Sequence, residues 1–294
     1  MMALMFVFGL SGLALAGNIG DVDQSGPSNY AVINQDGDDN EANINQESFT
    51  VGNDAYITQV GDEDIATITQ IGDGNTAYQT QSGSTDNQAT ILQTSSVDPS
   101  DNVATQTQDG AENVAYIEQI DDSSGNTATQ YQADIGNQAE ITQDLSATNS
   151  LSVQVQDDSG NMADIWQSGD SAIAMQNQLG ENNWAYIGQN GVGNEAYQTQ
   201  DGTGNIAFID QWSSGNYAEQ DQGSGGADGN WAKILQSGDD LNEAYQTQTG
   251  NSNYALADQN GSGNFSSQTQ TGDYDSSTVS QVGTGNVSVV TQSN

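Results

Sequence analysis

The chain lacks cysteine, histidine and arginine, and among its 294 residues it has one lysine, Lys233, and two prolines. Without Cys or His there is no disulfide framework, no zinc or haem site, and no histidine for acid–base catalysis. Without a basic surface there is no site for phosphate, nucleic acid or anionic lipid. Against the single Lys stand 40 acidic residues, which give a formal net charge of −39. The composition predicts a protein that is not an enzyme, has no cofactor or metal site, and binds no nucleic acid.

Long apolar runs are also missing, except at the N-terminus. The stretch "ALMFVFGLSGLALAG" (residues 3–17) contains Ala14-Leu15-Ala16, the small-x-small pattern of a signal-peptidase site, although no Lys or Arg precedes it. It is too short to span a bilayer comfortably, and the alternative is a buried strand or helix. We predict a signal peptide at residues 1–16, a short N-terminal segment at 17–28 and a repeat domain at 29–294.

The rest of the chain is built from one seven-residue unit. The heptapeptide "NEAYQTQ" occurs at Asn194–Gln200 and again at Asn242–Gln248, and "NTAYQTQ" occurs at Asn75–Gln81. We count 23 units of the form N-x-A-x-[I/Q]-x-Q, from Asn29 to Gln292, and the seventh slot is Gln in all 23. From Gln79 onward the fifth slot alternates between Gln and a mostly Ile apolar residue, so the full period is two units, about 22 residues.

Alternate specified slots predict β-strands with slots one, three, five and seven on the inner face. Short linkers such as "DGTG" (Asp201–Gly204) carry the Gly that a tight turn needs. Strand, turn, strand, turn in about 22 residues is one coil of a solenoid. The sequence therefore predicts an all-β fold, a flattened two-sheet cross-β solenoid of roughly eleven and a half coils stacked about 4.8 Å apart.

The inner slots predict a thin apolar core closed by polar columns. A buried amide without a partner costs roughly 1–3 kcal/mol, so we expect each Asn or Gln to donate to the amide in the coil above and to accept from the one below. The predicted self-assembly ladder comprises Asn29, Gln35, Asn75, Gln79, Gln81, Asn194, Gln198, Gln200, Asn242, Gln246, Gln248, Asn286 and Gln292. The predicted core comprises Ala77, Ile91, Ile117, Ile141, Ile165, Ile187, Ala196, Ile209, Ile234 and Ala244.

Acidic residues fall almost entirely in turns and outward slots; Asp64 and Asp275 are the inward exceptions. This arrangement predicts that cations, salt or acidity promote assembly by screening repulsion, with non-specific cations as partners. The competing hypothesis is that the acids keep the chain soluble during export. Outward aromatic residues such as Tyr186 and Tyr197 either form a surface for lateral contacts or pack across strands.

The segments "QTGNSNYALADQ" (Gln248–Gln259) and "QLGENNWAYIGQ" (Gln178–Gln189) carry the pattern Q-x-G-x-x-N-x-A-x-x-x-Q. In this pattern the chain resembles curlin, the subunit family of bacterial curli fibres, over residues 29–292. The 23 units exceed the number usual in curlin subunits. The resemblance implies a secreted functional amyloid that polymerises with copies of itself into extracellular, cell-surface biofilm fibres of a diderm bacterium. It also implies two further partners, a curli-type outer-membrane secretion channel and a nucleator subunit.

Two other functions compete with this one. A monomeric acidic β-solenoid could bind a surface, as an adhesin or an ice-binding protein does, but the outward Thr array is broken, for example by Asn177 and Asp221. A glycosidase that uses only two carboxylates would need an acidic pair at a groove that interrupts the repeat. No such interruption stands out, so self-assembly is the favoured function.

Overall fold

The computed structural model describes residues 17–95, 100–121, 123–144, 147–223 and 228–293, apart from the side chain of Ser84. The predicted signal peptide lies outside the described residues. Within these ranges the regular structure consists of β-strands alone. Accordingly, they contain no helix that is long and apolar enough to cross a membrane. The chain divides into two compact units, residues 1–149 and 150–294.

The first unit consists of two parallel sheets whose strands alternate along the chain. Its odd-numbered sheet contains β1 (Ile19–Ser25), β3 (Glu41–Glu47), β5 (Ile65–Ile71), β7 (Gln88–Thr94), β9 (Val114–Gln119) and β11 (Gln138–Gln143), paired in that order. Its even-numbered sheet contains β2 (Tyr30–Asp36), β4 (Asp54–Asp62), β6 (Thr76–Thr85), β8 (Val103–Ala111) and β10 (Thr127–Ile135).

The second unit repeats this arrangement. Its even-numbered sheet contains β12 (Leu151–Asp157), β14 (Ile173–Leu179), β16 (Glu195–Asp201), β18 (Tyr217–Gln222), β20 (Glu243–Gln248), β22 (Phe265–Gln270) and β24 (Val287–Gln292). Its odd-numbered sheet contains β13 (Met162–Gln167), β15 (Trp184–Gln189), β17 (Ile206–Gln211), β19 (Trp231–Ser237), β21 (Tyr254–Asn260) and β23 (Ser276–Val282).

Within each unit the strands pair in register, slot on slot. In the second unit Ala185 lies beside Ala207 and Ile187 beside Ile209, and in the first unit Gln81 lies beside Gln108. Each coil takes roughly 23 residues. The inward Ala and Ile side chains are buried, and the outward slots alternate with them along every strand. The predicted fold class, an all-β two-sheet solenoid, is confirmed.

The turns require unusual backbone conformations at two places. The residue before slot one is left-handed in nearly every coil, whether it is Gly204 (φ 67°), Asp39 (φ 55°) or Leu241 (φ 69°). Gly180, at the start of its turn, has φ 110°, and a Cβ there would lie 2.2 Å from the carbonyl oxygen of Gly202 in the next coil. Gly180 is therefore required by the close stacking of turns, whereas the position before slot one tolerates acidic residues at some cost in strain.

The structure places one strand before the first predicted unit. Strand β1 lies in the segment 17–28, and its inward side chains are Gly20, Val22 and Gln24, paired with Ala42, Ile44 and Gln46. This strand does not match the seven-residue pattern, because Gly20 replaces the Ala of slot three. The repeat therefore begins one strand earlier than the 23-unit count places it.

Candidate self-assembly ladders

The slot-seven glutamines form continuous columns of amide-to-amide hydrogen bonds in every sheet. In each bond Nε2 of one Gln donates to Oε1 of the Gln in the next coil, over 2.6–3.0 Å. In the first unit the columns are Gln24–Gln46–Gln70–Gln93–Gln119–Gln143 and Gln35–Gln59–Gln81–Gln108–Gln132. In the second they are Gln167–Gln189–Gln211–Gln236–Gln259–Gln281 and Gln156–Gln178–Gln200–Gln222–Gln248–Gln270–Gln292.

The second hydrogen of each Gln amide ties the two sheets together. Nε2 of Gln200 in β16 donates to the carbonyl oxygen of Trp184 in β15 at 3.0 Å, and Gln81 in β6 does the same to Ile65 in β5 at 2.9 Å. A backbone carbonyl can only accept, so this contact fixes which amide atom is nitrogen. The direction of every slot-seven column is therefore set by the backbone.

The slot-five glutamines add one more column, confined to the even-numbered sheet of each unit. The bonds link Gln79–Gln106–Gln130 in the first unit and Gln154–Gln176–Gln198–Gln220–Gln246–Gln268 in the second, at 2.8–3.0 Å. The odd-numbered sheet carries mainly Ile in this slot, and these Ile side chains are fully buried. The alternation of Ile and Gln along the sequence thus places an apolar column in the odd-numbered sheet and a polar column in the even-numbered sheet.

The asparagines of slot one bond differently from the prediction. Oδ1 of Asn183 accepts from the backbone N–H of Asn205 in the next coil at 2.9 Å, and Nδ2 of Asn183 donates to the carbonyl oxygen of Gly202 at 3.0 Å. In the even-numbered sheet of the second unit, amide-to-amide bonds do link Asn216, Asn242, Asn264 and Asn286, at 2.9–3.2 Å. Asn is one methylene shorter than Gln and lies beside the turn, so backbone groups are within its reach. The expected Asn-to-Asn ladder is present between Asn216 and Asn286, whereas backbone groups take its place at Asn183.

Asp64 occupies slot one of an otherwise amide column and is fully buried. Its Oδ1 accepts from the backbone N–H and the Nδ2 of Asn87, at 3.0 and 3.1 Å, but its Oδ2 has no partner. In an Asn this second atom would be Nδ2, a donor to the next turn. Burial raises the pKa of Asp64, and the hydrogen bonds from Asn87 only partly oppose this effect.

Asp73 is a buried acid that the sequence analysis did not single out. Its carboxylate accepts backbone N–H bonds from Phe49 (2.6 Å), Thr50 (2.7 Å) and Val51 (2.9 Å), and a further bond from the Thr50 hydroxyl. Burial alone would raise the pKa of Asp73, but these hydrogen bonds hold it well below its usual value. The sequence signal is the long spacer between the units at Asn40 and Asn53, because its backbone N–H groups are the ones that Asp73 accepts.

The predicted core and ladder residues occupy the slots assigned to them. All predicted core residues are buried: Ala77, Ile91, Ile117, Ile141, Ile165, Ile187, Ala196, Ile209, Ile234 and Ala244. The internal ladder residues are buried too: Asn75, Gln79, Gln81, Asn194, Gln198, Gln200, Asn242, Gln246 and Gln248. Asn29, Gln35, Asn286 and Gln292 lie in or beside edge strands and are half-buried. The role of these residues in assembly stays a prediction.

The outer face of the second unit carries aromatic rings that contact one another between coils. Trp184 meets Phe208 edge-on with ring centroids 4.9 Å apart, Phe208 lies 6.3 Å from Trp231, and Trp231 stacks on Tyr254 at 4.5 Å. These are cross-strand contacts, in slot two as well as slot four. Cross-strand packing is thus one role of the aromatic residues, and lateral contact stays a prediction.

Acidic side chains crowd the same outer faces. Partial burial raises the pKa of Asp221, and the nearby carboxylates of Glu219 and Asp201 raise it further. On the described part of the first unit, burial and Glu118 raise the pKa of Tyr116 to about 12. No group of three or more acidic residues in the described ranges is arranged to hold a metal ion. The effect of Glu219 and Asp201 on Asp221 shows that neighbouring carboxylates on this surface repel one another.

These features define a class of protein, the parallel cross-β solenoid whose buried amides are bonded from coil to coil. The family model described as "Curlin associated repeat" matches residues 17–47 and 52–83. This match confirms the resemblance: the chain contains curlin-associated repeats. The same slots and hydrogen bonds continue through the strands beyond the matched segments. A search of the curated proteins found no match.

Proposed function

We propose that this protein is a secreted functional-amyloid subunit that assembles head-to-tail into extracellular curli-like fibres of a biofilm matrix. The curlin repeats and the β-solenoid fold fit a curli-type amyloid subunit. Curlin-family proteins are structural, extracellular fibre subunits, and not enzymes. Export through a curli-type outer-membrane channel and initiation by a nucleator subunit belong to the same proposal.

The observation that carries the proposal is the complementarity of the two open edges. At one edge, in β1 and β2, no described residue donates to Oε1 of Gln24 or Gln35, and the half-buried Gln35 presents an acceptor. At the other edge, in β23 and β24, Nε2 of Gln281 and Gln292 donates only to the opposite sheet. Stacking one copy on the next pairs each donor with an acceptor, because within each unit every slot-seven Gln column donates towards the later coil.

The slot-one columns are also complementary at the two edges, but their hydrogen bonds run the other way, from a backbone N–H of the later coil to an Asn Oδ1 of the earlier coil. The backbone N–H of Asn53 donates to Oδ1 of Asn29, and the backbone N–H of Asn286 donates to Oδ1 of Asn264. The next bond in this series would run from the backbone N–H of Asn29 in a second copy to Oδ1 of Asn286. Two like edges would place donor against donor and acceptor against acceptor. An unprotected strand edge also templates further strands, so the geometry favours unlimited head-to-tail growth.

The first test is assembly of residues 17–294 after dilution from denaturant. We expect fibres with a meridional spacing of about 4.8 Å, thioflavin binding, and growth that preformed fibre fragments accelerate. Size-exclusion chromatography of the same samples shows whether monomer persists. A folded chain that stays monomeric with or without fragments would overturn the proposal and favour the monomeric binding module.

The acidic surface gives the assembly a dependence on ions. Two unit charges one coil apart repel by about 0.9 kcal/mol even in bulk water, and the chain carries a net charge of −39. We therefore expect fibre elongation to accelerate between 20 mM and 500 mM NaCl, and Ca²⁺ to act at lower concentration than Na⁺. Elongation that is indifferent to both ions would remove cations from the proposal without affecting assembly itself.

Secretion is tested separately. The full chain is expressed in a diderm bacterium with and without its curli-type outer-membrane channel, and surface fibres are detected with an antibody. Loss of surface protein on deletion of the channel is the expected result. Unchanged surface protein would assign export to another route.

A further inference from the structure

The slot-five column of the even-numbered sheets changes character at both open edges. It is apolar at Ile33 in β2 and Ile57 in β4, and it is Gln from Gln79 onward. At the other edge it ends at Gln268 in β22, because Val290 occupies the slot in β24. The odd-numbered sheets have no such change, since their fifth slot is apolar from Val22 to Val279.

A step from an apolar residue to Gln leaves a buried polar atom without a partner. Gln79 stacks on Ile57 and is buried, and its Oε1 accepts no hydrogen bond. At the other step Nε2 of Gln268, which elsewhere would donate to a further Gln, turns instead to the Ser277 hydroxyl at 3.0 Å. Wherever the slot-five column changes between Gln and an apolar residue, the Gln amide must therefore find another hydrogen-bond partner or leave one polar atom unpaired.

We propose that the apolar slot five at both edges selects the partner strand in the fibre, so that β24 of one copy accepts β2 of the next. This inference rests on the proposed function and specifies which strands of two neighbouring copies pair in the fibre. When Val290 of one copy lies on Ile33 of the next, the slot-five column stays apolar through Ile57, and no further change between an apolar residue and Gln is created. Docking any of the Gln-bearing strands on Val290 would instead bury another unpaired Gln Oε1, as at Gln79. The even-numbered sheet thereby distinguishes the first coils of an incoming chain from its internal coils, which are otherwise nearly identical.

The joint predicts a specific neighbour pair that cross-linking can detect. Outward slot four places Val289 of one copy beside Val32 of the next, whereas docking on β6, the first Gln-bearing strand, would place Val289 beside Tyr78. The chain has no native Cys. Fibres grown from an equal mixture of Val289→Cys and Val32→Cys chains should form the mixed disulfide on oxidation, and a mixture of Val289→Cys and Tyr78→Cys chains should not.

Elongation rates test the cause of the selection. Val290→Gln places a Gln against Ile33, and we expect elongation on wild-type fragments to fall roughly tenfold or more after the first layer, the cost of one unpaired buried amide. Val289→Gln, on the outer face of the same strand, is the matched control and should elongate at the wild-type rate. The triple variant Val290→Gln/Ile33→Gln/Ile57→Gln makes the Gln column continuous and should restore elongation to within about twofold, the partners now being matched.

The outcomes separate this inference from the proposed function. Wild-type chains that form no fibres would overturn both. If wild-type chains form fibres, then either unaltered growth of Val290→Gln chains or a disulfide between Val289→Cys and Tyr78→Cys chains would overturn the register selection and leave the fibre function standing. A triple variant as slow as Val290→Gln, with native far-UV circular dichroism, would also overturn it.

Discussion

The Gln columns and the Asn columns use the same amide group but bond to different partners. Gln200 bonds to Gln178 and Gln222, its own counterparts in the neighbouring coils, and to the opposite sheet. Asn183 bonds mainly to the backbone of the next coil. A Gln therefore needs Gln in both neighbouring coils, whereas an Asn needs only a peptide group.

This difference explains the tolerance of the two slots. Slot seven is Gln in all 23 units, while slot one also admits Asp64, Ser150, Ala172 and Asp275. Ser150 shows how a substitute works: its hydroxyl donates to the Gly169 carbonyl oxygen at 2.8 Å and accepts from the backbone N–H of Ala172 at 3.2 Å. The slot that is the same in every repeat is the one whose hydrogen-bond partner is another side chain.

The largest effect should follow from breaking a Gln column. Gln200→Leu removes the acceptor for Gln178, the donor to Gln222 and the bond to the Trp184 carbonyl oxygen, all of them buried. We expect the free energy of unfolding to fall by about 3 kcal/mol, measured by urea unfolding with circular dichroism below the assembly concentration. Thr199→Leu, in the neighbouring outward slot, is the control. Equal effects of the two substitutions would contradict the importance of the column.

Breaking the Asn column should cost less. Asn183→Ala leaves the buried N–H of Asn205 without a partner and leaves the Gly202 carbonyl oxygen only the N–H of Glu181, and we expect a loss of about 2 kcal/mol in the same assay. Asn183→Ser should recover part of this loss, because the hydroxyl of Ser150, which also occupies slot one, makes the two equivalent bonds to the Gly169 carbonyl oxygen and the Ala172 N–H. If Ser were no better than Ala, the backbone-directed role of slot one would be wrong.

Asp64→Asn should repair the same column and stabilise the protein by about 1 kcal/mol at pH 7, since a donor replaces the unpaired Oδ2. The raised pKa of Asp64 means that the folded state binds its proton more tightly than the unfolded state does. The wild-type penalty is therefore absent below the unfolded value of 3.8 and complete above the folded value. The gain from Asp64→Asn should shrink as the pH falls towards 3.8; a gain that is independent of pH would exclude this cause.

The smallest effect concerns the residue that orients slot one. Leu241 precedes Asn242, has φ 69° and is 65% exposed, so its side chain adds strain and little packing. We expect Leu241→Gly to stabilise the protein by about 0.5 kcal/mol, the relief of left-handed strain less the added chain entropy. The thermal midpoint in a scan at low protein concentration measures it. Leu241→Ala keeps the Cβ and should show no gain.

The sequence was sufficient for the fold because the period is two and the side-chain identities repeat. Gln79, Gln198 and the buried Ile column lie where the pattern placed them. The bonding of Asn183 was not accessible, because both an amide and a peptide group lie within reach and only the turn geometry decides between them. Strand β1 was missed because Gly20 lacks the methyl group that marks slot three. Asp73 was missed because its partners belong to an irregular turn one coil earlier.

The common direction of the Gln columns also has an electrical consequence. Every Gln-to-Gln hydrogen bond in the second unit donates towards the later coil, so the dipoles of the Gln amides add along the stacking direction. Neighbouring peptide dipoles along a strand largely cancel, but these columns do not. The edge at β24 is thus the positive end of an aligned array of Gln amide dipoles. This very acidic chain therefore carries a permanent dipole along the stacking direction in addition to its net negative charge.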